Sequence, residues 1–269
     1  MSFEKNRKKC AVVKLGTTTV MREDTLTVNL RLLDQVARVL SDIRGSGWDI
    51  ILVSSGAIAV GCNKLRFAAR PDELRMKQAA AAVGQLELMH LYDKMFGEYG
   101  QTVAQILLTD EDVANASRRE NLRNTFSALL ELGVIPVVNE NDSVSTSEVE
   151  TGSARVLGDN DTLSAIVAKL VGADKLILLS DVEKLYDSDP RSNPDAKAIT
   201  EIREITPEIR AIAGDGGKWG TGGMKTKLSA GELALENGIE MTITHGKNVE
   251  SIYGILEGEK IGTTFRRDE

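Results

Sequence analysis

Short apolar runs alternate along this chain with longer segments whose apolar residues recur at helical spacing. The apolar runs predict six strands, over residues 10–15, 49–53, 103–108, 134–138, 175–179 and 240–244. The helical spacing predicts six helices, over residues 28–43, 72–99, 119–132, 161–171, 225–237 and 249–256, with Thr27 as a candidate N-cap of the first. Such alternation predicts an α/β fold with a mostly parallel sheet and helices on both faces.

Two segments interrupt this alternation, at residues 143–158 and 186–223. Both are polar, contain glycine or proline, and lack sustained periodicity, so we expect long functional loops or hairpins within one domain. The pattern also allows an N-terminal lobe over residues 1–172 and a C-terminal lobe over 173–269. Because nothing near residue 172 resembles a flexible linker, we expect a single domain over residues 1–269.

Composition and charge exclude several classes of protein. The 269 residues carry a net charge of −7, which disfavours broad nucleic-acid binding. The two cysteines form no CxxC pair, which disfavours a disulfide scaffold and a zinc site. With only two histidines, a histidine-rich metal site is also disfavoured. No uninterrupted run of about 18 apolar residues predicts a membrane span, and the charged N-terminus has no signal-peptide core. We therefore expect a cytoplasmic protein.

Several candidate functional residues lie at or near the ends of predicted strands. Lys14 lies inside the first apolar strand, so its ammonium must either reach water at the strand end or meet an anionic partner. Ser55 and Gly56 follow the second strand. Backbone amides at such a junction bind phosphates or carboxylates, although many Ser-Gly turns are only turns. In open α/β sheets, ligands bind at this edge.

Polar and glycine-rich runs add three further candidates. The sequences NEND, at residues 139–142, and GDND, at 158–161, combine carboxamides with carboxylates, which together recognise the charged groups of an amino acid. Asp161 alone is equally explained as a helix N-cap. The run GTGGMKTK, at residues 220–227, opens a helix and is suited to phosphate, or is only a flexible loop. The sequence has no GxxxxGK[ST], GxGxxG, GxSxG or HExxH motif.

In combination, these motifs resemble the amino acid kinase family over nearly the whole chain. In family order, the matching segments are VVKLGTTTV, LVSSGAIAVG, KQAAAAVGQ, QILLT, VIPVVNENDSV, GDNDTLSAIVA, ADKLILLSDVEKLYDSDPRSNP and GTGGMKTKLSAGELA. The resemblance implies a three-layer αβα sandwich with a mostly parallel central sheet, an acceptor-binding N-terminal lobe and an ATP-binding C-terminal lobe. Many bacterial members continue into an RNA-binding-type domain, which we do not expect in this chain.

Within the family, the motifs are most similar to those of members that phosphorylate the γ-carboxylate of L-glutamate with ATP, the first step toward proline. Other family members act on another carboxylate, on carbamate or on a nucleoside monophosphate, and these acceptors stay open as alternatives. A non-catalytic, nucleotide-binding regulator is a third alternative. The resemblance also implies inhibition by proline and a homo-oligomer, either a dimer or a tetramer.

The resemblance assigns roles to individual residues. Lys14 and Lys227 would contact the transferring phosphoryl group, and Asp161 would organise the two lysines. Glutamate would be bound by Ser55, Gly56, Asp142 and Asn160. The residues that would bind ATP are Lys14, Ser180, Asp181, Thr221, Gly222, Gly223, Met224, Lys225, Thr226 and Lys227.

Two further expectations concern the cofactor and the loop near the acceptor. The cofactor Mg²⁺ would lie on ATP phosphates and water, without a dedicated protein cage. The segment 143–157, between NEND and GDND, is longer than the family's usual spacing, and in relatives it borders the glutamate site. We expect glutamate to order part of this loop, and proline to compete with glutamate through overlapping contacts.

Overall fold

The computed structural model describes residues 7–22, 24–144, 159–188, 193, 195–212 and 223–267. Within these residues the strands are β1 (Cys10–Leu15), β2 (Asp49–Ser54), β3 (Val103–Leu108), β4 (Ile135–Glu140), β5 (Lys175–Ser180), β6 (Leu185–Tyr186), β7 (Ala198–Ile199), β8 (Glu201–Ile202), β9 (Glu240–His245) and β10 (Thr263–Phe265). The helices are α1 (Thr17–Val20), α2 (Leu30–Gly45), α3 (Ala57–Lys64), α4 (Leu74–Glu98), α5 (Asp110–Ala114), α6 (Ala116–Glu131), α7 (Asn160–Val171), α8 (Pro207–Ile212), α9 (Gly223–Glu236) and α10 (Ser251–Glu257).

The described strands build a central eight-stranded sheet in the order β3-β4-β2-β1-β5-β9-β10-β8. Neighbouring strands are parallel, except for the antiparallel pair β9 and β10. Because β1 pairs with both β2 and β5, strands from both predicted lobes share this sheet. The carboxyl ends of β1, β2, β4, β5 and β9 therefore meet at one edge, which we call the carboxyl edge.

Side chains of β1 alternate between the two faces of the sheet. Ala11, Val13 and Leu15 pack with residues of α2, α4 and α10, whereas Cys10 and Val12 pack with residues of α6, α7 and α9. Both faces are thus covered by helices, and the predicted three-layer αβα sandwich is confirmed. By the same alternation, Lys14 faces α7 and α9.

Two helix N-caps differ from the residues considered for them in the sequence. The helix α2 begins at Leu30 with Asn29 as its N-cap, whose side chain accepts a hydrogen bond from the Leu32 amide, so the assignment of Thr27 as the cap is wrong. The helix α7 begins at Asn160 with Asp159 as its N-cap, which accepts hydrogen bonds from the amides of Asp161 and Thr162. Asp161 is therefore not the N-cap, and its carboxylate is available for other contacts.

Several short elements were not predicted individually. The helix α5 begins with a capping box in which Thr109 and Asp112 exchange hydrogen bonds, and α3 follows the glycine turn after β2. The strands β6 to β8 and the helix α8 lie in the segment 186–223, or at its start, where we expected loops or hairpins. Among the described residues, no helix has the length and apolarity that a membrane crossing needs.

Close backbone contact between α3 and α4 brings α4 to the carboxyl edge. A Cβ atom on Gly61 would lie 1.8 Å from the Ala80 carbonyl oxygen, and one on Gly84 would lie 1.8 Å from the Ala57 carbonyl oxygen. Only glycine allows this approach, because real Cβ atoms do not come so close. Since α3 starts directly after β2, residues of α4 next to Gly84 are held against the end of β2.

Candidate active site

Three charged side chains from three elements meet at the carboxyl edge. The Nζ atom of Lys14 on β1 lies 2.6 Å from Oδ1 of Asp161 on α7. The Nζ atom of Lys227 on α9 donates a hydrogen bond to Oδ2 of the same carboxylate at 3.1 Å. Lys14, Asp161 and Lys227 are only 8%, 2% and 7% exposed. The Lys14 ammonium therefore has an anionic partner rather than reaching bulk water, which decides between the two interpretations of this strand lysine.

The first turn of α9 completes this cluster. Lys227 also donates to the Gly223 carbonyl oxygen at 3.1 Å. The Thr226 hydroxyl lies 3.3 Å from Asp161 Oδ2 and 3.1 Å from the Gly223 carbonyl oxygen, and its single proton can go to either acceptor. On its other oxygen, Oδ1, the same carboxylate forms the ion pair with Lys14. The carboxylate thus separates two ammonium groups and is held on both sides.

Burial and charge act in opposite directions on Asp161. Burial alone would raise the pKa of this carboxyl group, but the nearby Lys14 and Lys227 ammonium groups outweigh burial, and the pKa is lowered. Asp161 is therefore ionised at neutral pH. Two ammonium groups and one carboxylate give the cluster a formal charge of +1, which suits it to an anion such as a phosphate group.

The lowered pKa of Asp161 predicts how acid affects stability. A carboxyl group whose pKa is lower in the folded than in the unfolded protein stabilises the fold above its unfolded pKa of about 3.9, and this contribution is lost as the pH falls through the folded pKa. We expect the difference in unfolding free energy between the wild type and Asp161→Asn to shrink below about pH 4. Urea unfolding of both proteins between neutral and acid pH measures it. The other carboxylates occur in both proteins, so their contributions to the pH dependence largely cancel in the difference. A difference that does not change with pH would contradict this account.

The residue before Asp161 faces a second group of polar side chains. The Asn160 amide nitrogen lies 2.9 Å from the Ser54 carbonyl oxygen, 2.6 Å from Ser55 Oγ and 3.1 Å from Asn139 Oδ1. A carbonyl oxygen only accepts hydrogen bonds, so the group that faces it must be the NH₂ of Asn160. Within the part of the chain that the structure describes, Asn160 Oδ1 accepts no hydrogen bond. This oxygen is suited to a donor on a bound ligand.

Buried carboxamides hold this arrangement from the side of β4 and α4. Asn139 Oδ1 accepts from the Glu140 amide at 2.9 Å, which fixes Asn139 Nδ2 as the donor to Gln85 Oε1, also at 2.9 Å. Asn139 belongs to the predicted NEND run without an individual role, and no role was predicted for Gln85. A signal was present for Asn139, because a carboxamide at the end of an apolar strand needs partners when it is buried. Nothing in the pattern of α4 singled out Gln85.

A pocket of about 280 Å³ lies beside these carboxamides. Its lining includes Ala57, Gln85 and Asp142. The predicted acceptor residues therefore divide into Ser55 and Asn160, which are in direct contact, and Asp142, which lies in the adjoining pocket. Gly56 joins the two parts as the N-cap of α3, with a φ of +99° that favours glycine.

The predicted ATP-binding residues are only partly described. Ser180 at the end of β5 is buried and donates a hydrogen bond to Asp181 Oδ1 at 2.8 Å. Both residues line a pocket of about 430 Å³ that also includes His245 and Gly246 after β9. Gly223, Met224 and Lys225 form the start of α9 with Thr226 and Lys227. Thr221 and Gly222 lie outside the described residues, as do residues 145–157 of the predicted acceptor loop.

Comparisons with known proteins find a matching family and similar sequences. The family model for the amino acid kinase family matches residues 9–245. Glutamate 5-kinase of Clostridium perfringens is 52% identical over 255 residues, which cover 94% of each chain. Glutamate 5-kinase of Listeria monocytogenes serovar 1/2a is 52% identical over 262 residues, which cover 97% of this chain and 94% of the relative.

Solved structures of more distant proteins share the fold. Carbamate kinase from Giardia lamblia bound to AMP-PNP superposes with a TM-score of 0.67 at 18% identity, over 97% of this chain and 99% of that one. Isopentenyl phosphate kinase of T. acidophilum, in a product complex, gives a TM-score of 0.64 at 15% identity, over 96% of this chain and 100% of that one. At these identities the likeness concerns the fold alone.

Proposed function

Because this chain belongs to the amino acid kinase family, we propose that its lysine–aspartate cluster transfers the γ-phosphoryl group of ATP to the γ-carboxylate of L-glutamate. The chain is a kinase, and its product is L-glutamyl 5-phosphate, which is the first intermediate toward proline. One observation carries the proposal: the neighbours Asn160 and Asp161 at the start of α7 serve two adjoining sites. Asn160 belongs to the acceptor group, and Asp161 belongs to the cationic cluster.

The reaction needs no general base. The γ-carboxylate is already ionised at pH 7, because its ordinary pKa is about 4.3. One of its oxygens attacks the γ-phosphorus, the bond from that phosphorus to the bridging oxygen breaks, and ADP leaves with the electron pair. Negative charge spreads over the phosphoryl oxygens in this step, and fixed cations lower its energy. Lys14 and Lys227 supply these cations, and Asp161 holds them apart in the required geometry.

The acceptor site has groups for both ends of the amino acid. Asn160 Oδ1 and the Asp142 carboxylate are acceptors, so they suit the α-ammonium group of glutamate. Ser55 and the backbone at Gly56 lie at the start of α3, where amides suit a carboxylate. The pocket of about 280 Å³ that Asp142 lines fits a small amino acid rather than a nucleotide.

We propose that Mg²⁺ enters on the phosphates of ATP. Among the described residues, no group of three His, Cys, Asp or Glu side chains is placed to hold a metal ion. Asp161, the carboxylate of the cluster, is already bound by two lysines and approached by Thr226. The side chains of the cluster therefore do not form a ligand set for Mg²⁺, and phosphate oxygens and water would supply its ligands.

Other implications of the family stay predictions. They are a single domain over residues 1–269, assembly into a dimer or tetramer, inhibition by proline, a cytoplasmic location, and ATP contacts through Ser180, Asp181 and the 221–227 run. An acceptor other than glutamate is the main alternative for the activity, since carbamate kinase and isopentenyl phosphate kinase share the fold.

ADP release in a coupled assay tests the choice of acceptor. We expect release with ATP, Mg²⁺ and glutamate, and much slower release when aspartate, carbamate or UMP replaces glutamate. Faster release with one of these three would assign the chain to a different acceptor. ATP binding without release with any acceptor would favour a non-catalytic regulator.

Asp142 offers a residue-level test of the acceptor site. Loss of one partner of a charge-assisted hydrogen bond costs about 1.5–3 kcal/mol, so Asp142→Ala should raise the glutamate KM by roughly ten- to a hundredfold. The ATP KM should stay near its wild-type value. Steady-state kinetics with each substrate varied in turn measure both constants.

The control for Asp142→Ala is Asp93→Ala, which removes an exposed carboxylate of α4. We expect this control to leave both constants unchanged. Equal increases in the two KM values of Asp142→Ala would mean that Asp142 holds the fold of the site instead of binding glutamate.

A further inference from the structure

A buried tyrosine of α4 contacts the last residue of β2, where the turn to α3 begins. Tyr92 is fully buried, and its ring packs beside Phe96 within the core under β1 and β2. Its hydroxyl lies 2.8 Å from Ser54 Oγ. Burial raises the pKa of the Tyr92 hydroxyl, so it stays protonated at neutral pH and keeps its ability to donate a hydrogen bond.

The hydrogen bonds continue from Ser54 in one direction. Ser54 Oγ lies 3.3 Å from the Ser55 carbonyl oxygen, which can only accept, so the Ser54 hydroxyl proton points to Ser55. Ser54 Oγ must then accept the proton of Tyr92. The tyrosine thereby fixes both the side chain of Ser54 and the peptide group that follows Ser55.

The same turn holds the Asn160 amide. The Ser54 carbonyl oxygen and Ser55 Oγ both accept hydrogen bonds from Asn160 Nδ2, at 2.9 and 2.6 Å. Gly56 follows with a φ of +99°, a conformation that glycine adopts readily because it has no Cβ atom. Pairing with β1 ends at Ser54, so the contact with Tyr92 restrains the chain where the turn begins.

We propose that Tyr92 is a positioning residue of the acceptor site, which fixes the Ser54–Ser55 turn and through it the Asn160 amide. This proposal rests on the proposed function, because the ligand that Asn160 meets is the amino-acid acceptor. It extends the acceptor site to a residue that touches no substrate. The cationic cluster lies on the other face of the sheet from Tyr92, so ATP binding should not depend on the tyrosine.

The substitution Tyr92→Phe tests this role because it keeps the buried ring and removes only the hydroxyl. One lost hydrogen bond of ordinary strength predicts an increase of about threefold to tenfold in the glutamate KM. The ATP KM should stay unchanged. The matched control is Tyr253→Phe, whose hydroxyl bonds the exposed Asp42 side chain at 2.9 Å between α10 and α2, away from the carboxyl edge. It should change neither constant.

A double-mutant cycle separates positioning from general packing. If Tyr92 acts through Ser54, Tyr92→Phe should have little further effect on the glutamate KM in a Ser54→Ala background. Equal increases in both KM values, an undiminished effect in that background, or a glutamate KM that is unchanged in Tyr92→Phe would each overturn the proposal while leaving the proposed function intact. A wild-type protein without glutamate-dependent ADP release would overturn both.

Discussion

Replacing Lys14 or Lys227 by alanine is expected to lower kcat by roughly a hundredfold or more, since removal of one preorganised charge at a reacting group typically has this effect. Each ammonium is within 3.1 Å of Asp161 and lies at the edge where the phosphoryl group must pass from ATP to the acceptor. The glutamate KM should change little, because neither lysine contacts the carboxamides around Asn160. Steady-state kinetics at saturating glutamate and ATP measure kcat.

The two lysine variants should still fold, because the remaining lysine neutralises Asp161 in each. Lys169→Ala is the matched control, since Lys169 is exposed near the other end of α7. Its kcat should equal that of the wild type. Near-normal kcat in both Lys14→Ala and Lys227→Ala would show that the cluster is an internal ion pair without a part in the reaction.

The substitution Asp161→Asn is expected to be the most destabilising single change at the site. It leaves the Lys14 and Lys227 ammonium groups almost buried near each other without a countercharge, and loss of one partner from a buried ionic group costs about 3–5 kcal/mol. The value of kcat should also fall by roughly a hundredfold or more, since the two cations lose their fixed separation. Urea unfolding near neutral pH measures the stability, and Asp93→Asn serves as an exposed control.

Two further measurements identify the cause of that destabilisation. Adding Lys227→Met to Asp161→Asn removes one of the two unpaired cations, so the double variant should be more stable than Asp161→Asn alone. ATP should raise the melting temperature of Asp161→Asn more than that of the wild type, because its phosphates supply the missing negative charge. A double variant less stable than Asp161→Asn would contradict an electrostatic origin.

The regular part of the fold was readable from the sequence. The strands β1 and β3 have the predicted bounds, because each is a six-residue run that begins and ends sharply. Helix starts were harder, because several residues with capping side chains follow one another. Thr27 stands two residues before the true cap Asn29, and Asp159 precedes two other polar residues. Sequence alone does not distinguish such neighbours.

Some residues of the candidate site could be predicted from the sequence, and others could not because their partners are distant in the chain. Lys14 stood out because a cation in an apolar strand needs an explanation. Asp161 and Lys227 belonged to the candidate runs GDND and GTGGMKTK, but their individual roles came from the resemblance. Gln85 and Tyr92 were missed because a glutamine and a tyrosine at helical spacing look like ordinary surface and core residues. Their partners, Asn139 and Ser54, are 54 and 38 residues away in the chain. The packing of α4 against the ends of β2 and β4 brings these pairs together.

The most direct test of the central claim follows the oxygen atoms of the acceptor. Glutamate labelled with ¹⁸O in its γ-carboxylate is incubated with the protein, MgATP and hydroxylamine, and the released inorganic phosphate is analysed by mass spectrometry. Attack of a carboxylate oxygen on the γ-phosphorus forms an acyl phosphate, and hydroxylamine then breaks its carbon–oxygen bond. The account predicts one ¹⁸O atom in each phosphate and an equal amount of glutamyl hydroxamate. Phosphate that contains no ¹⁸O would show that the glutamate γ-carboxylate is not the phosphoryl acceptor.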